Sequence, residues 1–261
     1  MSVSQSCPNR VGNKLLAILP GEEYKRLLPH LELVYLFSAQ LLYQTNEPIE
    51  YAYFPLNGVC SLLNIMKNGE GMEAATVGKE GMLGVPLLLG TTQMPMQAIA
   101  QIPGDALRIK ANVFQREVFW GCPLHTLLLR YTHTLMNQFA QTSACNRVHL
   151  VEQRCCRWLL MTRDRVESNE LPLTQEFLSL MLGVRRSRRS EVVANLEKAG
   201  LIRYQRGRIT LLDLQGLEAS ACECYQLLKQ EFDRLFSRKF PFRGTSGWLE
   251  PLPRDHFPIL A

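Results

Sequence analysis

Apolar positions along the chain change their period several times, and each change predicts a different kind of element. Between residues 13 and 30, Leu15, Leu16, Leu19, Tyr24, Leu27 and Leu28 recur at helical spacing, interrupted by Pro20-Gly21. From about residue 31 to 110 short apolar runs follow one another: Leu31–Phe37, Gln40–Gln44, Tyr51–Phe54, Gly58–Met66, Met72–Val77 and Ala98–Ile109. Asn46-Glu47-Pro48, Pro55-Leu56-Asn57-Gly58, Lys67-Asn68-Gly69-Glu70 and Pro103-Gly104-Asp105 punctuate them. Many short strands at that spacing predict an antiparallel sandwich or barrel, with a short helix inserted over residues 83–90. Residues 123–146 return to a helical period, with Leu124, Leu128, Tyr131, Leu135, Gln138, Thr142 and Cys145 at alternating spacings of three and four. Such a stripe suits either packing on the helix's own domain or a seam between two copies. Its place between a β domain and a basic one favours the seam. Residues 149–166 predict a further helix, with Val151, Cys155, Trp158, Leu159 and Thr162 on one side.

The next stretch carries the clearest chemistry. Thr174 can cap a helix with its side-chain oxygen, and Glu176 suits that helix's positive end. The helix runs through Phe177, Leu178 and Met181 to Leu182, where Gly183 supplies a tight turn. A second helix follows, with Val192, Val193 and Leu196 as its apolar face and Lys198-Ala199-Gly200 at its end. This is the helix-turn-helix pattern. Its second helix opens with Arg185-Arg186-Ser187-Arg188-Arg189-Ser190, where such a motif enters the major groove. Arginine forks can pair bidentately with guanine, while other Arg and Ser groups hold phosphates. Two β-prone arms around Gln205-Arg206-Gly207 predict a hairpin wing, with Arg206 and Arg208 as phosphate contacts. The predicted DNA-binding set is Thr174, Gln175, Arg185, Arg186, Ser187, Arg188, Arg189, Ser190, Glu191, Arg206 and Arg208.

Charge distribution agrees. Residues 1–120 hold 9 Lys/Arg against 10 Asp/Glu, whereas residues 183–210 hold 8 against 2. A basic block in an otherwise near-neutral chain calls for an anionic polymer at one place. No apolar run reaches the ~20 residues of a membrane helix, and residues 1–20 lack the features of a secretory signal, so the expected setting is the cytoplasm. The eight cysteines include the pairs Cys155-Cys156 and Cys222…Cys224 but no Cys-x-x-Cys. On a helix neither spacing aims two thiolates at one ion, so no metal site is expected. Gly71…Gly78-Lys79 hints at a phosphate loop, but its spacing is wrong and Glu80 stands where Ser or Thr is required. The 83–97 region carries no convergent titratable groups, so no enzyme is expected.

The order of these parts resembles the family of the cAMP receptor protein and the fumarate-nitrate reduction regulator, the Crp/Fnr regulators. The most specific stretches run from Leu171 to Leu178, from Met181 to Arg186 and from Ala199 to Thr210, and Tyr53-Phe54-Pro55 with Gly58 and Ser61 looks like early sensor strands. The resemblance implies an α+β chain: an N-terminal antiparallel β-roll over 1–120, a dimerisation helix over 121–147 and a winged helix-turn-helix over 148–213. An additional helix over 213–239 and a tail over 240–261 bearing prolines and aromatics, either loose or packed, would follow. Leu124, Leu128, Tyr131, Leu135, Gln138 and Thr142 would form the dimer seam. Arg186, Ser187 and Glu191 fall at base-reading positions. Implied partners are double-stranded DNA and a second copy of the chain, with RNA polymerase a further candidate and no membrane. The competing readings are an adaptor whose winged helix binds protein and an enzyme built on the β domain.

Two departures qualify the resemblance. The family places an apolar residue where Arg189 stands. Cyclic-nucleotide-binding members carry Gly-Glu in the inserted helix and an Arg about ten residues later, whereas this chain has Gly84-Val85-Pro86 and then Met94-Pro95-Met96-Gln97. A phosphate buried without a cation is costly, so cAMP and cGMP are not expected to bind in the family's way, and no cofactor is predicted. Leu83, Gly84, Val85, Leu87, Leu88, Met96 and Gln97 are the candidate lining of an effector pocket, or else plain core. Cys7 alone near the N-terminus does not suit an iron–sulfur cluster, and five scattered histidines give no reason to expect haem.

Overall fold

The computed structural model describes residues 12–237; Cys7 and the 240–261 stretch lie outside them. The chain opens with α1 (Lys14–Ala17) and α2 (Gly21–Leu27), followed by a 3-10 turn over Leu28–His30. Asn13 caps α1 through Oδ1 and donates from Nδ2 to the Pro55 and Gly81 carbonyls at 3.0 and 2.9 Å, tying the first helix to the strands behind it. Seven strands follow: β1 (Glu32–Leu36), β2 (Leu41–Tyr43), β3 (Tyr51–Pro55), β4 (Val59–Ile65), β5 (Gly71–Val77), β6 (Gln97–Ile102) and β7 (Gly104–Lys110). The short α3 (Val85–Leu88) is inserted between β5 and β6. Two antiparallel sheets result, ordered β1-β7-β3 and β2-β6-β4-β5. The apolar run 98–109 divides at Pro103, which has no N–H for a ladder, and its two halves enter different sheets.

Helices α4 (Ala111–Glu117), α5 (Pro123–Val148) and α6 (Val151–Val166) lead into the C-terminal part. There β8 (Glu170–Leu171), α7 (Gln175–Leu182), α8 (Arg186–Lys198), β9 (Ile202–Gln205) and β10 (Arg208–Leu211) form the winged helix-turn-helix, with sheet order β8-β10-β9. The predicted 213–239 helix is two: α9 (Leu214–Ser220), capped by Asp213, and α10 (Cys224–Ser237). The chain leaves helical geometry at Ala221, which is extended at φ −77, ψ 154. Residues 238 and 239 lie outside the described residues. α10 lies along α5, where Asn137 donates to Glu231 at 3.2 Å and Leu235 joins the β-roll core.

The stripe read as a dimer seam is internal. Leu124, Leu128, Tyr131, Leu135, Gln138 and Thr142 are all buried within the single chain. Tyr131 donates its hydroxyl to the Met82 carbonyl at 3.1 Å, and Gln138 donates to the backbone oxygen and hydroxyl of Thr76 at 3.2 Å. The strongest apolar stripe of α5 packs against the β-roll core, which Leu235 of α10 also joins. A second stripe on the same helix, Leu129, His133, Met136, Ala140, Ser143 and Arg147, is exposed and repeats with the same three-four spacing.

The helix-turn-helix packs back onto the β-roll. Val59, Leu63, Ile99 and Ile102 share a core with Trp158, Met181 and Leu182. At this joint Trp158 donates its indole N–H to Glu73 at 2.9 Å, and Ser61 lies 2.7 Å from the same carboxyl and 2.6 Å from Gln101. Burial pushes the Glu73 carboxyl up to about 7, against hydrogen bonds from Ser61 and Trp158 that favour its charge. The folded chain therefore keeps a proton on Glu73 where the unfolded chain has lost it. The resulting stabilisation is complete at low pH and is lost as pH rises through about 7. The unfolding free energy of the wild type, measured in urea, should fall between pH 5.5 and 8 by an amount on the order of 2 kcal/mol beyond that of Glu73→Gln. Parallel pH profiles for the two chains would refute this.

Candidate nucleic-acid interface and effector cavity

Local sequence sets the geometry of the helix-turn-helix. Thr174 Oγ1 accepts the Phe177 N–H at 3.3 Å and starts α7; the side chain of Gln175 lies outside the described ones. Gly183 ends α7 in the left-handed region at φ 61, with its own N–H and that of Val184 returning to the Leu180 and Ser179 carbonyls. A Cβ at Gly183 would come within 2.9 Å of Met72, so the turn lies close against β5. Leu178, Met181 and Leu182 of α7 meet Val192, Val193 and Leu196 of α8 in a shared core.

The first turns of α8 sort the predicted arginines by what they face. Arg185 and Arg186 are exposed, as are Ser187, Ser190 and Glu191, and neither arginine forms an ion pair with a described residue. The amino end of α8 adds its partial positive charge there. Arg188 is held by two carboxylates, Glu191 at 2.8 Å and Glu152 of α6 at 3.2 Å. Arg189 is not a groove contact. It is 5% exposed and donates to Ser179 at 3.1 Å and to Ser190 at 3.2 Å. The reason is its phase: three and four residues before Val192 and Val193, it falls on the face turned to α7. In the wing, Arg206 and Gly207 occupy a two-residue hairpin turn with φ of 48 and 77, the geometry that matches strand twist. Arg206 is exposed at that tip, and Arg208, 64% exposed, lies 3.7 Å from Glu170.

Two family descriptions match the chain: a cyclic nucleotide-binding domain over residues 34–119 and a Crp-like helix-turn-helix domain over residues 153–220. The chain belongs to the Crp/Fnr family. Solved structures of similar fold include a protein assigned to the Crp/Fnr transcriptional regulators from Eubacterium rectale (TM-score 0.63, 17% identity, 79% of this chain and 96% of that one). FixK2 from Bradyrhizobium japonicum follows at TM-score 0.62 and 16% identity, over 74% of this chain and 98% of its own. The c-di-GMP responsive global regulator CLP from Xanthomonas campestris gives TM-score 0.60 and 14% identity, over 74% of this chain and 100% of its own. At such identities the likeness shows the fold. No curated protein sequence matches the chain. With both domains in place and in order, this Crp/Fnr member has the architecture of a DNA-binding transcription regulator.

In this Crp/Fnr chain the β-roll holds a cavity of about 160 Å³ between the inserted helix and α5. Of the predicted lining, Leu83, Gly84 and Val85 reach it, while Leu87, Leu88, Met96 and Gln97 do not. Leu87 is buried in the core, with Leu88 and Met96 packed against it. The remaining walls include Tyr43, Leu62 and Met94, and α5 contributes Thr132, Leu135, Met136 and Phe139. The α5 residues were hidden from a reading of the β domain alone, because they lie about fifty residues away in sequence. Thr132 already donates its hydroxyl to the Leu128 carbonyl at 2.8 Å, and no charged residue lines the cavity among the described residues.

A second constellation corrects the expectation drawn from cysteine spacing. Cys145 and His149 at the end of α5 meet Cys222 and Cys224, which stand at the break between α9 and α10 and not within one helix. The four could hold a metal. The i, i+4 pairing of Cys145 and His149 was its signal in the sequence.

Proposed function

We propose that the chain is a cytoplasmic, homodimeric transcription regulator that reads a specific duplex with α8 and responds to a small apolar effector. The observation that carries the DNA reading is the exposed Arg185-Arg186-Ser187 at the start of α8, beside the cationic wing tip at Arg206. RNA polymerase is the partner such a regulator would engage at a promoter. Among the described residues no helix is long and apolar enough to cross a membrane.

Homodimer formation is supported by the exposed stripe of α5, where Leu129 is 41% and Met136 is 61% exposed. Met136 also lines the cavity, so a ligand there would be felt at the seam. An uncharged lining of about 160 Å³ supports a ligand other than a cyclic nucleotide, being smaller than the roughly 300–1,000 Å³ of ordinary ligand pockets.

Fluorescence anisotropy with random and genomic duplexes at several salt concentrations tests the reading. Affinity should fall steeply with salt, as neutralised phosphates release counterions, and cAMP should change nothing. Absence of binding even at low salt would favour a protein-binding adaptor. In sedimentation, Met136→Arg should shift a dimer to monomer at micromolar concentration and weaken DNA binding with it. An unchanged dimer would place the seam elsewhere.

A further inference from the structure

The Cys145, His149, Cys222 and Cys224 side chains converge tightly enough to coordinate one ion. Their ligand atoms all lie within 4.8 Å of one another. Cys145 Sγ is 3.5 Å from Cys222 Sγ, and Cys224 Sγ is 3.6 Å from His149 Nδ1. Bonds of about 2.3 Å to sulfur and about 2.0–2.1 Å to nitrogen give a tetrahedron whose edges are roughly 3.5–3.8 Å. The two contacts therefore match edges of such a tetrahedron. The three cysteines are buried and form a small cluster of their own, separate from the two apolar cores.

The surroundings complete the site. His149 turns Nε2 to Glu223 at 3.0 Å, leaving Nδ1 to face the thiols, which is the carboxylate–histidine arrangement found behind metal-bound imidazoles. Gln141 donates to Cys224 Sγ at 3.0 Å. Arg154 and Arg157 act electrostatically on Cys145, and such cations offset the single negative charge that three thiolates leave on a divalent ion. Three sulfurs and one nitrogen in this compass suit a single zinc-like ion; a multi-iron cluster would need its ligands farther apart.

We propose that Cys145, His149, Cys222 and Cys224 bind one zinc ion, which fastens the start of α10 to the joint between α5 and α6. Each ligating thiol gives its proton to solvent. The placement has a consequence for regulation. His149 and Leu150 are the two residues between α5 and α6, so the ion stiffens the link between the β-roll's long helix and the DNA-reading unit. Arg154, next to the site, also donates to the Leu182 carbonyl at the end of α7, immediately before the turn into α8.

The test uses the full chain purified under reducing conditions. Elemental analysis should find about one zinc per chain, falling below about a tenth in Cys222→Ser/Cys224→Ser, while Cys156→Ser, a buried thiol outside the cluster, keeps its metal. Cobalt titrated into the reduced, stripped wild type should give strong tetrahedral d–d bands and a thiolate-to-cobalt charge-transfer band, saturating at one equivalent. Removing zinc should lower the melting temperature and the DNA affinity. The cobalt spectrum of the wild type decides even if the double variant does not fold. Weak octahedral bands, no saturable uptake, or a Cys145–Cys222 disulfide with no zinc binding after reduction would overturn the proposal. None of the metal readouts requires DNA, so failure of the site and failure of the DNA reading are distinguishable.

Discussion

Replacing Arg186 with alanine should weaken binding to the preferred duplex by about 1–3 kcal/mol, roughly 5- to 150-fold, while leaving non-specific binding much less affected. Arg186 is the first residue of α8, exposed, and in no ion pair with a described residue, so its guanidinium is available to a base edge. The neighbouring arginines provide internal comparisons. Arg188 is engaged by Glu152 and Glu191, and Arg188→Ala should cost less because a carboxylate partner must be surrendered before DNA can be gained. Arg206 sits at the wing tip, and Arg206→Ala should weaken all duplexes alike and reduce the salt slope by about one. Arg189→Ala should act through folding, since that side chain is buried against α7. Anisotropy on the preferred duplex and on single-base variants separates these outcomes. If Arg186→Ala keeps both its affinity and its base preference, α8 is not the reader.

Most of the fold was legible because its signals are local. Thr174, Gly183 and the Arg206-Gly207 turn each carry a backbone requirement that one or two residues reveal, and the two sheets follow from strand-length apolar runs broken by turn-formers. What a local reading could not resolve is which of two equally spaced stripes faces inward. On α5, Leu128, Leu135 and Thr142 differ by one residue from Leu129, Met136 and Ser143, and only the β-roll's need for a lid decides between them. Arg189 misled for a similar reason: charge suggested solvent, while helical phase put it under α7. The cysteine–histidine cluster joins residues over seventy positions apart, so spacing within one segment could show only its Cys145–His149 half.

Arg165→Met should destabilise the chain by about 3–5 kcal/mol, the cost of removing one partner from a buried ion pair. Arg165 Nε meets Glu80 Oε1 at 2.7 Å with both residues buried, Arg165 at 6% and Glu80 at 7% exposure. The guanidinium also donates to the Met161 carbonyl at 2.8 Å, and Glu80 accepts the Gly78 N–H at 3.1 Å, so the pair is embedded in backbone on both sides. Glu80 therefore does structural duty at the position that rules out a phosphate loop. Without Arg165 its carboxylate would stay desolvated beside α6 with its cation gone. The pair of Lys79 with Glu167 one residue away is a useful contrast: Glu167 is 74% exposed, and breaking that pair should leave stability nearly unchanged, because solvent screens it. Glu80→Gln combined with Arg165→Met should recover part of the loss, because the double variant no longer buries a lone charge. Urea unfolding followed by the fluorescence of buried Trp158, at the same joint, measures the wild type and these variants. A single-variant cost below about 1 kcal/mol would mean that water reaches the pair and that apolar packing, not charge, holds the DNA-reading unit against the β-roll.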